Sequence, residues 1–506
     1  MPPTPRRRER TTLADLLAVL PPEAVLHAPG GDGGHLAVAD VTHDSREAGP
    51  RVLFACRPGR RADGHEFAPA AVAAGSPALL VERTLALDVP QLRVSSVADV
   101  LGDVAATIHG HPSAALALAG VTGTNGKTTV TYLLESVFAA AGHTTGVLGT
   151  VETRIAGQVV PGARTTPEAP DLQRLLRRMV DRGVSAAAME VSSHGLALGR
   201  VTGTRFAVTT FTNLTQDHLD FHADIEDYFA AKARLFTRRF APAAVVNVDD
   251  PFGRRLAGQV DLAVVRVGSG ADADVTARDV VSGPWGSRLT AVVRGRLVAV
   301  RTALAGHFNV ANALVALAAA DVMGIDLETA AAGVAALRGV PGRMERVEAG
   351  QPFTVLVDYA HTPDSLENVL RAARGLADEG DQRGRVLVVV GCGGERDRGK
   401  RPLMGQAAVE GADLAVLTSD NPRSEDPLAI IDAMVAGATR GAGGAYAVEP
   451  SRRAAIALAL AEARPGDIVV IAGKGHETYQ ELADATVDFD DRAVARALLE
   501  GGVVCP

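Results

Sequence analysis

The sequence predicts an α/β protein of three domains: a small N-terminal α/β domain, a central parallel-sheet domain that carries a phosphate-binding loop, and a C-terminal Rossmann-like domain. Three observations support this prediction. The 506 residues exceed what one hydrophobic core accommodates. Short apolar runs alternate with helix-like stretches, as in parallel sheets covered by helices. Glycine-rich or polar segments follow these runs, at the sheet edge where α/β proteins bind ligands. We place the domains at residues 1–113, 114–340 and 341–506.

Composition and charge restrict the class of protein. Hydrophobic residues make up 47% of the chain and charged residues 22%, as in soluble globular proteins. The net charge of -8 argues against a general nucleic-acid-binding protein. The cysteines Cys56, Cys392 and Cys505 lack metal-ligand spacing and are too few for a disulfide framework, which indicates a reducing cytoplasm. Residues 6–20 predict a frayed arginine-rich tail and a short helix, not a signal peptide, and no segment is apolar for long enough to span a membrane.

The first 113 residues predict a small α/β domain. Residues 37–49 and 52–59 predict strands around a turn, and residues 64–75 predict a helix that leads to a strand at residues 77–82. Ser45 and Arg46 fall in a polar loop between apolar runs, where the pattern alone favours a solvated turn.

The central domain begins with a phosphate-binding loop in residues 116–130, LALAGVTGTNGKTTV, with a helix-like stretch behind it at residues 132–141. Glycines let backbone N–H groups approach phosphate oxygens, and the helix N-terminus adds partial positive charge. A lysine neutralises the outer phosphates, and a hydroxyl is left for Mg²⁺. Val121 replaces the first glycine of the strict pattern, so the loop has the shorter GxxGKTT form. We assign nucleotide binding to Gly123, Thr124, Asn125, Gly126, Lys127, Thr128 and Thr129.

Polar side chains follow the next two predicted strands of the central sheet. One group contains Glu190, Ser192, Ser193 and His194, and the other contains Asn213, Asp217, His218 and His222. Because both groups are expected at the same sheet edge, Glu190 and His218 are candidate Mg²⁺ ligands, with surface or capping roles as the alternative. Residues 289–306 predict a hairpin, and residues 307–324 predict a helix in which Asn309 and Asn312 suit capping.

The C-terminal domain has the pattern of a second doubly wound sheet. Its strands lie within residues 353–361, 385–394, 413–423 and 467–477. Each ends in a polar cluster, namely Asp358 and His361; Glu395, Arg396 and Asp397; Asp420, Asn421 and Arg423; and Lys474, His476 and Glu477. Arginine in two of these clusters suits bidentate binding of a carboxylate.

Ten ordered motifs carry a resemblance to a known family. They include GVTGTNGKTTV, MEVSSHGLALGRV, TNLTQDHLDFH, YFAAKARLF, GHFNVANAL, VDYAHTPDSL, GCGGERDRGKRPLMG, SDNPRSEDP and AGKGHETYQ, and they occur in the order found in Mur ligases. The chain most resembles the group that adds the third residue of the peptidoglycan stem peptide. The GTNGKT loop alone also fits folylpolyglutamate synthetases.

The resemblance implies an ATP-dependent amide ligase. The N-terminal domain would hold the UDP part of UDP-N-acetylmuramoyl-L-alanyl-D-glutamate, the central domain ATP and Mg²⁺, and the C-terminal domain the incoming amino acid. ATP would convert a carboxylate to an acyl phosphate, which the amine then attacks. A cytoplasmic monomer that acts in peptidoglycan synthesis, cell division and cell shape is expected.

Site residues follow from the same resemblance. Lys127 and Thr128 resemble the phosphate and Mg²⁺ contacts, and Glu190 and His218 resemble ligands of a second Mg²⁺. Lys232 resembles a lysine that this family carbamylates, with an ordinary surface lysine as the alternative. The substrate contacts would be Ser45 for the uridine, and Thr165, Thr166, Ser192 and Arg200 for the muramoyl dipeptide. The remaining nucleotide contacts would be Asn309, Arg343 and Asp358.

The DNPR motif at Asp420, Asn421, Pro422 and Arg423 implies diaminopimelate rather than lysine as the acceptor. In diaminopimelate-adding relatives this arginine holds the distal carboxylate, and a buried arginine would repel the ammonium of lysine. Arg396, Gly473 and Glu477 match the other acceptor contacts. Leu198, Glu395 and Ser419 depart from the family pattern without removing a catalytic group.

Two other functions remain open from the sequence. One is a related ATP-dependent amide ligase with another acyl substrate or with lysine. The other is a non-catalytic nucleotide-binding protein, although Lys127, Glu190, His218 and Lys232 are all present.

Overall fold

The computed structural model describes residues 11–29, 31–59, 62–160, 162, 164–283, 286–378, 383–441 and 443–501. The arginine-rich tail and Cys505 lie outside these residues. The described chain divides into two compact units. The first unit runs to Gly120 and includes His143–Ala207 and Arg234–Pro242, and the second contains Val121–Gly142, Val208–Ala233 and the chain from Ala243 onward.

The N-terminal part of the first unit contains seven strands and three helices. They are β1 (Thr11–Thr12), α1 (Leu13–Val19), β2 (Val25–His27), β3 (Ala37–Val38), β4 (Asp40–Thr42), β5 (Val52–Ala55), α2 (Ala68–Ala73), β6 (Ala78–Val81), β7 (Gln91–Arg93) and α3 (Val97–Ile108). A sheet of order β2-β7-β6-β5-β4 is parallel except for β2.

Helices pack on both faces of this small sheet, and successive side chains of each strand point to opposite faces. On β5, Leu53 and Ala55 pack with α1 and α3, whereas Phe54 packs with α2 on the other face. The short helix expected after the tail is therefore present as α1. Burial raises the pKa of the Cys56 thiol to about 12, as expected for a structural cysteine.

The middle of the chain supplies the central sheet and its helices. They are β8 (Ala117–Thr122), α4 (Lys127–Ala140), β9 (Thr145–Leu148), β10 (Thr153–Ile155), β11 (Gln158–Val160), α5 (Ala169–Asp181), β12 (Ala186–Glu190), α6 (Ser193–Ala197), β13 (Val208–Phe211), α7 (Ile225–Ala233), β14 (Ala243–Asn247), α8 (Pro251–Gln259), β15 (Ala263–Val267), β16 (Val275–Gly283), β17 (Gly286–Val293), β18 (Arg296–Thr302), α9 (Phe308–Val322) and α10 (Leu327–Ala336).

Strand β8 passes from the first unit into the second at its end. In the first unit β12 pairs in parallel with β9, and β10 and β11 extend the sheet in antiparallel fashion. In the second unit β13 to β16 are parallel, and β16, β17 and β18 form an antiparallel meander. The predicted hairpin is therefore present, and the helix behind the phosphate loop begins at residue 127, five residues earlier than predicted.

The C-terminal part of the second unit is a doubly wound sheet. Its elements are β19 (Glu345–Val347), β20 (Thr354–Asp358), α11 (Pro363–Ala377), β21 (Val386–Cys392), α12 (Lys400–Gly411), β22 (Leu414–Ser419), α13 (Pro427–Ala438), β23 (Ala445–Val448), α14 (Arg452–Glu462), β24 (Ile468–Ala472), β25 (Tyr479–Glu481), β26 (Thr486–Asp488) and α15 (Asp491–Glu500). The strand order is β19-β20-β24-β21-β22-β23, and only β19 is antiparallel.

Helices cover both faces of this sheet. On β21, Val388 and Val390 pack with α11, α12 and α13, whereas Leu387 and Val389 pack with α14 and α15. The four predicted strands are present, and β19, β23, β25 and β26 were not predicted.

The predicted α/β class is confirmed, with a small N-terminal sheet, a central sheet that carries the phosphate loop and a Rossmann-like C-terminal sheet. The boundaries at residues 113 and 340 stay predictions. Among the described residues, no helix has the length and apolar character that a membrane span requires.

Candidate active site

Two glycines of the phosphate-binding loop occupy positions that no other residue fits. Gly123 has φ +151°, and a Cβ atom there would lie 1.9 Å from the Thr212 hydroxyl oxygen. Gly126 has φ +85° at the N-cap of α4, and its Cβ would lie 2.6 Å from Oδ1 of Asn312. The loop backbone is held from the end of β13, because the N–H groups of Thr124 and Asn125 donate to Asn213. The sequence pattern therefore has a steric cause.

Lys127 and Thr128 lie at the start of α4, as predicted. The Lys127 ammonium donates to the carbonyl oxygens of Gly123 at 3.0 Å and Thr124 at 2.8 Å, so it arches back over the loop. The Thr128 hydroxyl accepts a hydrogen bond from Nη2 of Arg343 at 3.1 Å. The guanidinium of Arg343 also stacks on the Tyr359 ring, 4.6 Å from its centroid. Arg343, predicted as a nucleotide contact, is thus brought to the phosphate loop within the second unit.

A cavity of about 590 Å³ opens beside the loop in the second unit. Thr129, Leu304, Asn309, Val340, Arg343 and Met344 contribute to its lining. A mostly apolar cavity of this size with a few polar groups suits a nucleoside. The sequence suggested that Asn309 caps α9, but it does not. Its Nδ2 donates to the Ala305 carbonyl at 2.6 Å, and its Oδ1 accepts from the Asn312 amide at 2.8 Å.

Asp358 shapes the segment that carries Arg343. Its carboxylate accepts from the N–H groups of Met344 at 2.7 Å and Ala360 at 2.8 Å. Burial raises the pKa of the Asp358 carboxyl, against the lowering effect of Arg343. Of the three predicted residues, Asn309 and Arg343 therefore line the cavity, and Asp358 holds the backbone of Met344, which also lines it.

Lys232 is buried, which excludes the alternative of an ordinary surface lysine. Its side chain on α7 is 1% exposed, and its amine donates to the Gly123 carbonyl at 2.8 Å. The amine also lies 4.5 Å from the centroid of the Tyr228 ring. Burial, reinforced by the charge of Lys127, lowers the pKa of the Lys232 amine well below its ordinary value of 10.5. A neutral amine at the phosphate loop is a nucleophile.

A buried carboxylate, Asp217, gathers three basic side chains near the phosphate loop. Its oxygens lie 3.4 Å from Nε2 of His218, 3.5 Å from Nε2 of His361 and 3.5 Å from the Lys400 ammonium. Burial alone would raise the pKa of the Asp217 carboxyl, but these groups hold it well below its ordinary range. The sequence pattern placed Asp217 and His361 at strand ends but did not pair them.

The residues present suit Mg²⁺ held jointly with phosphates. In the described part of the chain, no three His, Cys, Asp or Glu side chains form a cluster that could hold a metal alone. The Thr128 hydroxyl at the start of α4 is a hard oxygen donor, and Mg²⁺ commonly takes one or two protein ligands together with substrate phosphates. Glu190 and His218 belong to different units, so their joint role as ligands stays a prediction.

Glu190 ends β12 in the first unit and is 1% exposed. Its carboxylate accepts from the N–H of Thr150 at 2.8 Å and from the Thr150 hydroxyl at 2.9 Å. The same hydroxyl lies 3.0 Å from that of Thr165. Glu190 and Thr165 are therefore linked through one threonine.

The segment after Thr165 is tied to the end of β12. The Thr166 hydroxyl donates to the Glu190 carbonyl at 3.0 Å and accepts from the N–H of Ser192 at 3.0 Å. The Ser192 hydroxyl caps α6 by accepting from the N–H of Gly195 at 3.0 Å. Arg200 donates to the Thr166 carbonyl at 3.3 Å and pairs with Glu168 at 2.8 Å. The four predicted dipeptide contacts thus lie together.

Ser45 begins a short 3-10 turn, Ser45–Glu47, in the first unit and is partly buried. The Asp44 carboxylate, which caps this turn, also pairs with Arg46 at 2.6 Å. The predicted polar loop is therefore a defined turn, and the uridine contact at Ser45 stays a prediction.

The predicted amino-acid contacts form one network in the second unit. The Lys474 ammonium donates to Oδ1 of Asn421 at 3.0 Å and to Glu477 at 2.9 Å, and the Asn421 amide donates to the same Glu477 oxygen at 2.9 Å. Gly473 has φ +114°, and a Cβ there would lie 2.7 Å from Oδ2 of Asp420. Only glycine allows this close approach.

Of the two arginines predicted at this network, Arg423 is held by neighbouring groups and Arg396 is exposed. Arg423, at φ +53°, pairs through Nε with Glu481 at 2.7 Å and donates through Nη1 to the Gly394 carbonyl at 2.8 Å. A backbone held in the left-handed region at an arginine is uncommon and typical of functional loops.

Sequence reasoning missed several site residues. Glu168, Arg57 and Lys400 were not singled out, and Asp364, whose carboxylate accepts from the Asn125 amide at 2.8 Å, was not either. Their partners lie far away in the chain, so the sequence does not show the pairing. The one available signal was position beside a motif, as for Glu168, which closely follows Thr165 and Thr166.

Family models match three segments of the chain. The Mur ligase family catalytic domain matches residues 37–109, the Mur ligase middle domain matches residues 121–320, and the Mur ligase glutamate ligase domain matches residues 342–475. Together these segments span most of the chain.

Individual relatives agree with these matches. A UDP-N-acetylmuramoyl-L-alanyl-D-glutamate--2,6-diaminopimelate ligase of Solibacter usitatus (strain Ellin6076) is 48% identical over 92% of this chain and 94% of its own length. A ligase of the same name from Streptomyces avermitilis is 46% identical over 99% of this chain and 98% of its own. A solved structure of a ligase of that name is 32% identical, with a TM-score of 0.68 over 97% of this chain and 99% of that one. The chain belongs to the Mur ligase family and has its three-domain architecture.

Proposed function

We propose that this protein joins diaminopimelate to UDP-N-acetylmuramoyl-L-alanyl-D-glutamate, with ATP converted to ADP and phosphate, in peptidoglycan precursor synthesis. The observation that carries the proposal is the phosphate loop, in which Lys127 and Thr128 directly follow Gly126, and Gly123 and Gly126 tolerate no side chain. The names of relatives at 46–48% identity over nearly the whole chain support the same reaction.

The first step transfers the terminal phosphoryl group of ATP to the substrate carboxylate, so that an acyl phosphate forms and ADP leaves. Lys127 and the loop N–H groups bind the phosphates, and Arg343 places a second cation beside Thr128. Thr128 would hold Mg²⁺, with Glu190 and His218 as further candidate ligands, and the bound ion would neutralise phosphate charge. The chain thereby overcomes the repulsion between two anions.

Lys232 suits carbamylation because its amine is buried and its pKa is lowered. The neutral amine attacks CO₂, an N–C bond forms, and one proton leaves to solvent. The product is a carbamate anion in place of a neutral amine, and an anion there would bind Mg²⁺.

The second step is attack of the acceptor amine on the acyl carbon, with release of phosphate. Asn421, Lys474 and Glu477 provide a preorganised set of donors and acceptors for the amino-acid end of diaminopimelate. Arg423 is the candidate for its distal carboxylate, and Arg396 and Gly473 complete the acceptor contacts. Ser45, Thr165, Thr166, Ser192 and Arg200 bind the UDP-linked substrate. The enzyme works in the cytoplasm as a monomer and supports cell shape and division.

ADP release by the purified protein tests the proposal. With ATP, Mg²⁺, UDP-N-acetylmuramoyl-L-alanyl-D-glutamate and diaminopimelate, ADP and the tripeptide product should form in equal amounts. Omission of either co-substrate, or Lys127→Ala, should reduce ADP to background. Lysine in place of diaminopimelate should be a much poorer acceptor. Release of no ADP with all reactants, or equal use of lysine, would refute the proposal.

A further inference from the structure

Three arginines converge on one carboxylate in the first unit. Glu168 lies 3.1 Å from Nη1 of Arg57 and 2.8 Å from Nη2 of Arg200, and it also pairs with Arg164. The side chains of Arg57, Glu168 and Arg200 are 17%, 12% and 12% exposed, whereas Arg164 is half exposed. Glu168 is therefore the shared partner of guanidinium groups that come from separate parts of the chain.

Glu168 does not serve the local structure in the way its position suggests. It is the N-cap residue of α5, where a side-chain oxygen ordinarily accepts from the first backbone N–H groups. Its carboxylate makes no such capping hydrogen bond and is turned toward the arginines. The carboxylate is thus committed to the guanidinium groups.

The cluster carries more positive charge than it neutralises. Burial would raise the pKa of the Glu168 carboxyl, but Arg200 and Arg164 hold it below its ordinary value, so it is one anion among three cations. Burial lowers the pKa of the nearby His43 imidazole and so disfavours a fourth positive charge. The ratio of charges differs from that of a buried structural ion pair. Arg452 and Asp491 are both fully buried, and there one guanidinium group pairs with one carboxylate.

Two buried nitrogen atoms in this cluster have no hydrogen-bond partner among the residues that the structure describes. They are Nε of Arg200 and Nδ1 of His43, and both atoms are buried. Buried polar atoms are paired in the great majority of cases, and an unpaired one calls for a ligand or a functional reason. Both the excess charge and the unpaired atoms are satisfied by an added anion with oxygen acceptors.

We propose that Glu168 is a positioning residue that holds the guanidinium groups of Arg57 and Arg200 as a binding site for an oxyanion of the UDP-linked acyl substrate. The oxyanion is a carboxylate or a phosphate, which share the geometry that a guanidinium group binds. This inference rests on the proposed function for the identity of the substrate. It adds Arg57 as a ligand-binding residue and Glu168 as the group that orients it.

The location of the cluster supports this assignment. Arg200 donates to the Thr166 carbonyl at 3.3 Å, and Arg57 donates to the Leu198 carbonyl at 3.3 Å. Thr166 belongs to the expected dipeptide contacts, and Leu198 is a position at which this chain departs from the family pattern. Arg57 thus brings a cation beside the expected dipeptide contacts.

An adjoining cluster has the opposite composition. Arg174 pairs with Asp40 at 2.9 Å, Glu47 at 3.1 Å and Asp171 at 2.8 Å, so one guanidinium serves three carboxylates. That cluster has no excess cation and would repel an anion. The excess positive charge is therefore confined to the arginines around Glu168.

Direct binding measurements test the proposal. Isothermal titration calorimetry with UDP-N-acetylmuramoyl-L-alanyl-D-glutamate should show about tenfold weaker binding for Glu168→Gln and for Arg57→Met. The first change leaves the guanidinium groups without the carboxylate that orients them, and the second removes one guanidinium group. Glu168→Asp, which keeps the charge, should recover most of the affinity. Asp181→Asn is the matched control, because it removes a carboxylate that pairs with Arg177 at the far end of α5. Steady-state kinetics should show the rise in KM for this substrate alone, with KM for ATP and diaminopimelate unchanged.

Other results would overturn the proposal. Unchanged or tighter binding by Glu168→Gln would mean that Glu168 only neutralises the arginines. A parallel rise in all three KM values with a fall in Tm would mean that its role is structural. UDP-N-acetylglucosamine, which has the diphosphate but no peptide, separates the two oxyanions, since Arg57→Met should weaken its binding only if a phosphate occupies the site. A wild-type protein that binds the acyl substrate but releases no ADP would refute the proposed function alone, and one that does not bind it would refute both.

Discussion

Two buried lysines of the second unit have opposite surroundings. Lys474 is 0% exposed and its ammonium meets a carboxylate, Glu477, and an amide oxygen of Asn421. Lys232 is 1% exposed, and its amine donates to a backbone carbonyl and lies over the face of the Tyr228 ring. Both side chains lie at the carboxyl edge of a parallel sheet or beside it, yet Lys474 pairs with a carboxylate, whereas burial lowers the pKa of the Lys232 amine.

The difference shows that burial alone does not define the chemistry of a lysine. A paired ammonium remains charged and orients its partners, whereas an unpaired amine loses its proton to avoid the cost of desolvation. The chain contains only four lysines, Lys127, Lys232, Lys400 and Lys474, among 51 basic residues. Arginine cannot be deprotonated in a protein, so positions that need a compact or neutral amine require lysine.

The largest effect is expected from removing the neutral amine. Lys232→Met should lower kcat by about 100- to 1,000-fold, the usual cost of losing one electrostatic group in an active site. Lys232→Arg should be equally inactive, because a guanidinium cannot form a carbamate. Arg234→Met, which removes an exposed cation two residues away, is the control and should retain activity.

Depletion of CO₂ sharpens this test. Wild-type activity should fall in CO₂-free buffer and return on addition of bicarbonate, and the mass of the intact protein should report the carbamate. Activity that is independent of CO₂, or retained by Lys232→Arg, would exclude carbamylation as a requirement.

Replacing each lysine with methionine should change the free energy of unfolding differently. Lys474→Met should lower the free energy of unfolding by about 3 kcal/mol, because it leaves the Glu477 carboxylate without its buried partner. Lys232→Met should leave the free energy of unfolding unchanged or raise it, since it removes a buried amine for which desolvation and the charge of Lys127 outweigh the attraction of Asp217. Urea unfolding of the ligand-free proteins measures both, and equal losses would contradict the comparison.

Substrate specificity tests the surroundings of Lys474. Arg423→Ala should raise KM for diaminopimelate about 10- to 100-fold, as expected for losing hydrogen bonds to a charged group. KM for ATP should not change, and lysine should become a relatively better acceptor. Arg398→Ala, which removes an exposed arginine near Glu425, serves as the control. An unchanged KM for diaminopimelate would remove Arg423 from the acceptor site.

The smallest effect concerns pH. Because the pKa of Lys232 is lowered in the folded protein, the unfolded chain binds one more proton between that pKa and the ordinary value of 10.5. Raising the pH through this interval should therefore stabilise the wild type relative to Lys232→Met by up to about 1.4 kcal/mol per pH unit. Above 10.5 the difference should level off. Unfolding at several pH values in CO₂-free buffer measures it, and a difference that falls with pH would contradict the lowered pKa.

Most of the fold could be predicted because it depends on local pattern. The apolar runs that became β8, β12, β20 and β21 are buried on both faces, so they read as continuous hydrophobic stretches between turn residues. The exposed edge strand β23 and the short hairpin of β25 and β26 lack that signal and were missed. The helix behind the phosphate loop was predicted too short, because its start depends on Gly126 adopting the left-handed conformation.

Candidate site residues could be predicted where a motif carries its own chemistry. Lys127 and Thr128 lie within one turn of the loop that defines them, and Asn421 and Arg423 lie within one motif. Glu168 and Arg57 could not be predicted, because they are 111 residues apart and each looks ordinary alone.

By itself, the sequence determined the family, the order of the buried strands and the helices between them, and the glycine positions of the phosphate loop, because each of these depends on neighbouring residues. Only the tertiary structure decided which charges are balanced and which are not. It paired Lys474 with Glu477, left Lys232 against a carbonyl and a ring, and gathered three arginines on Glu168. The ionisation of a buried group is set by the atoms around it, and most of those atoms come from distant parts of the chain.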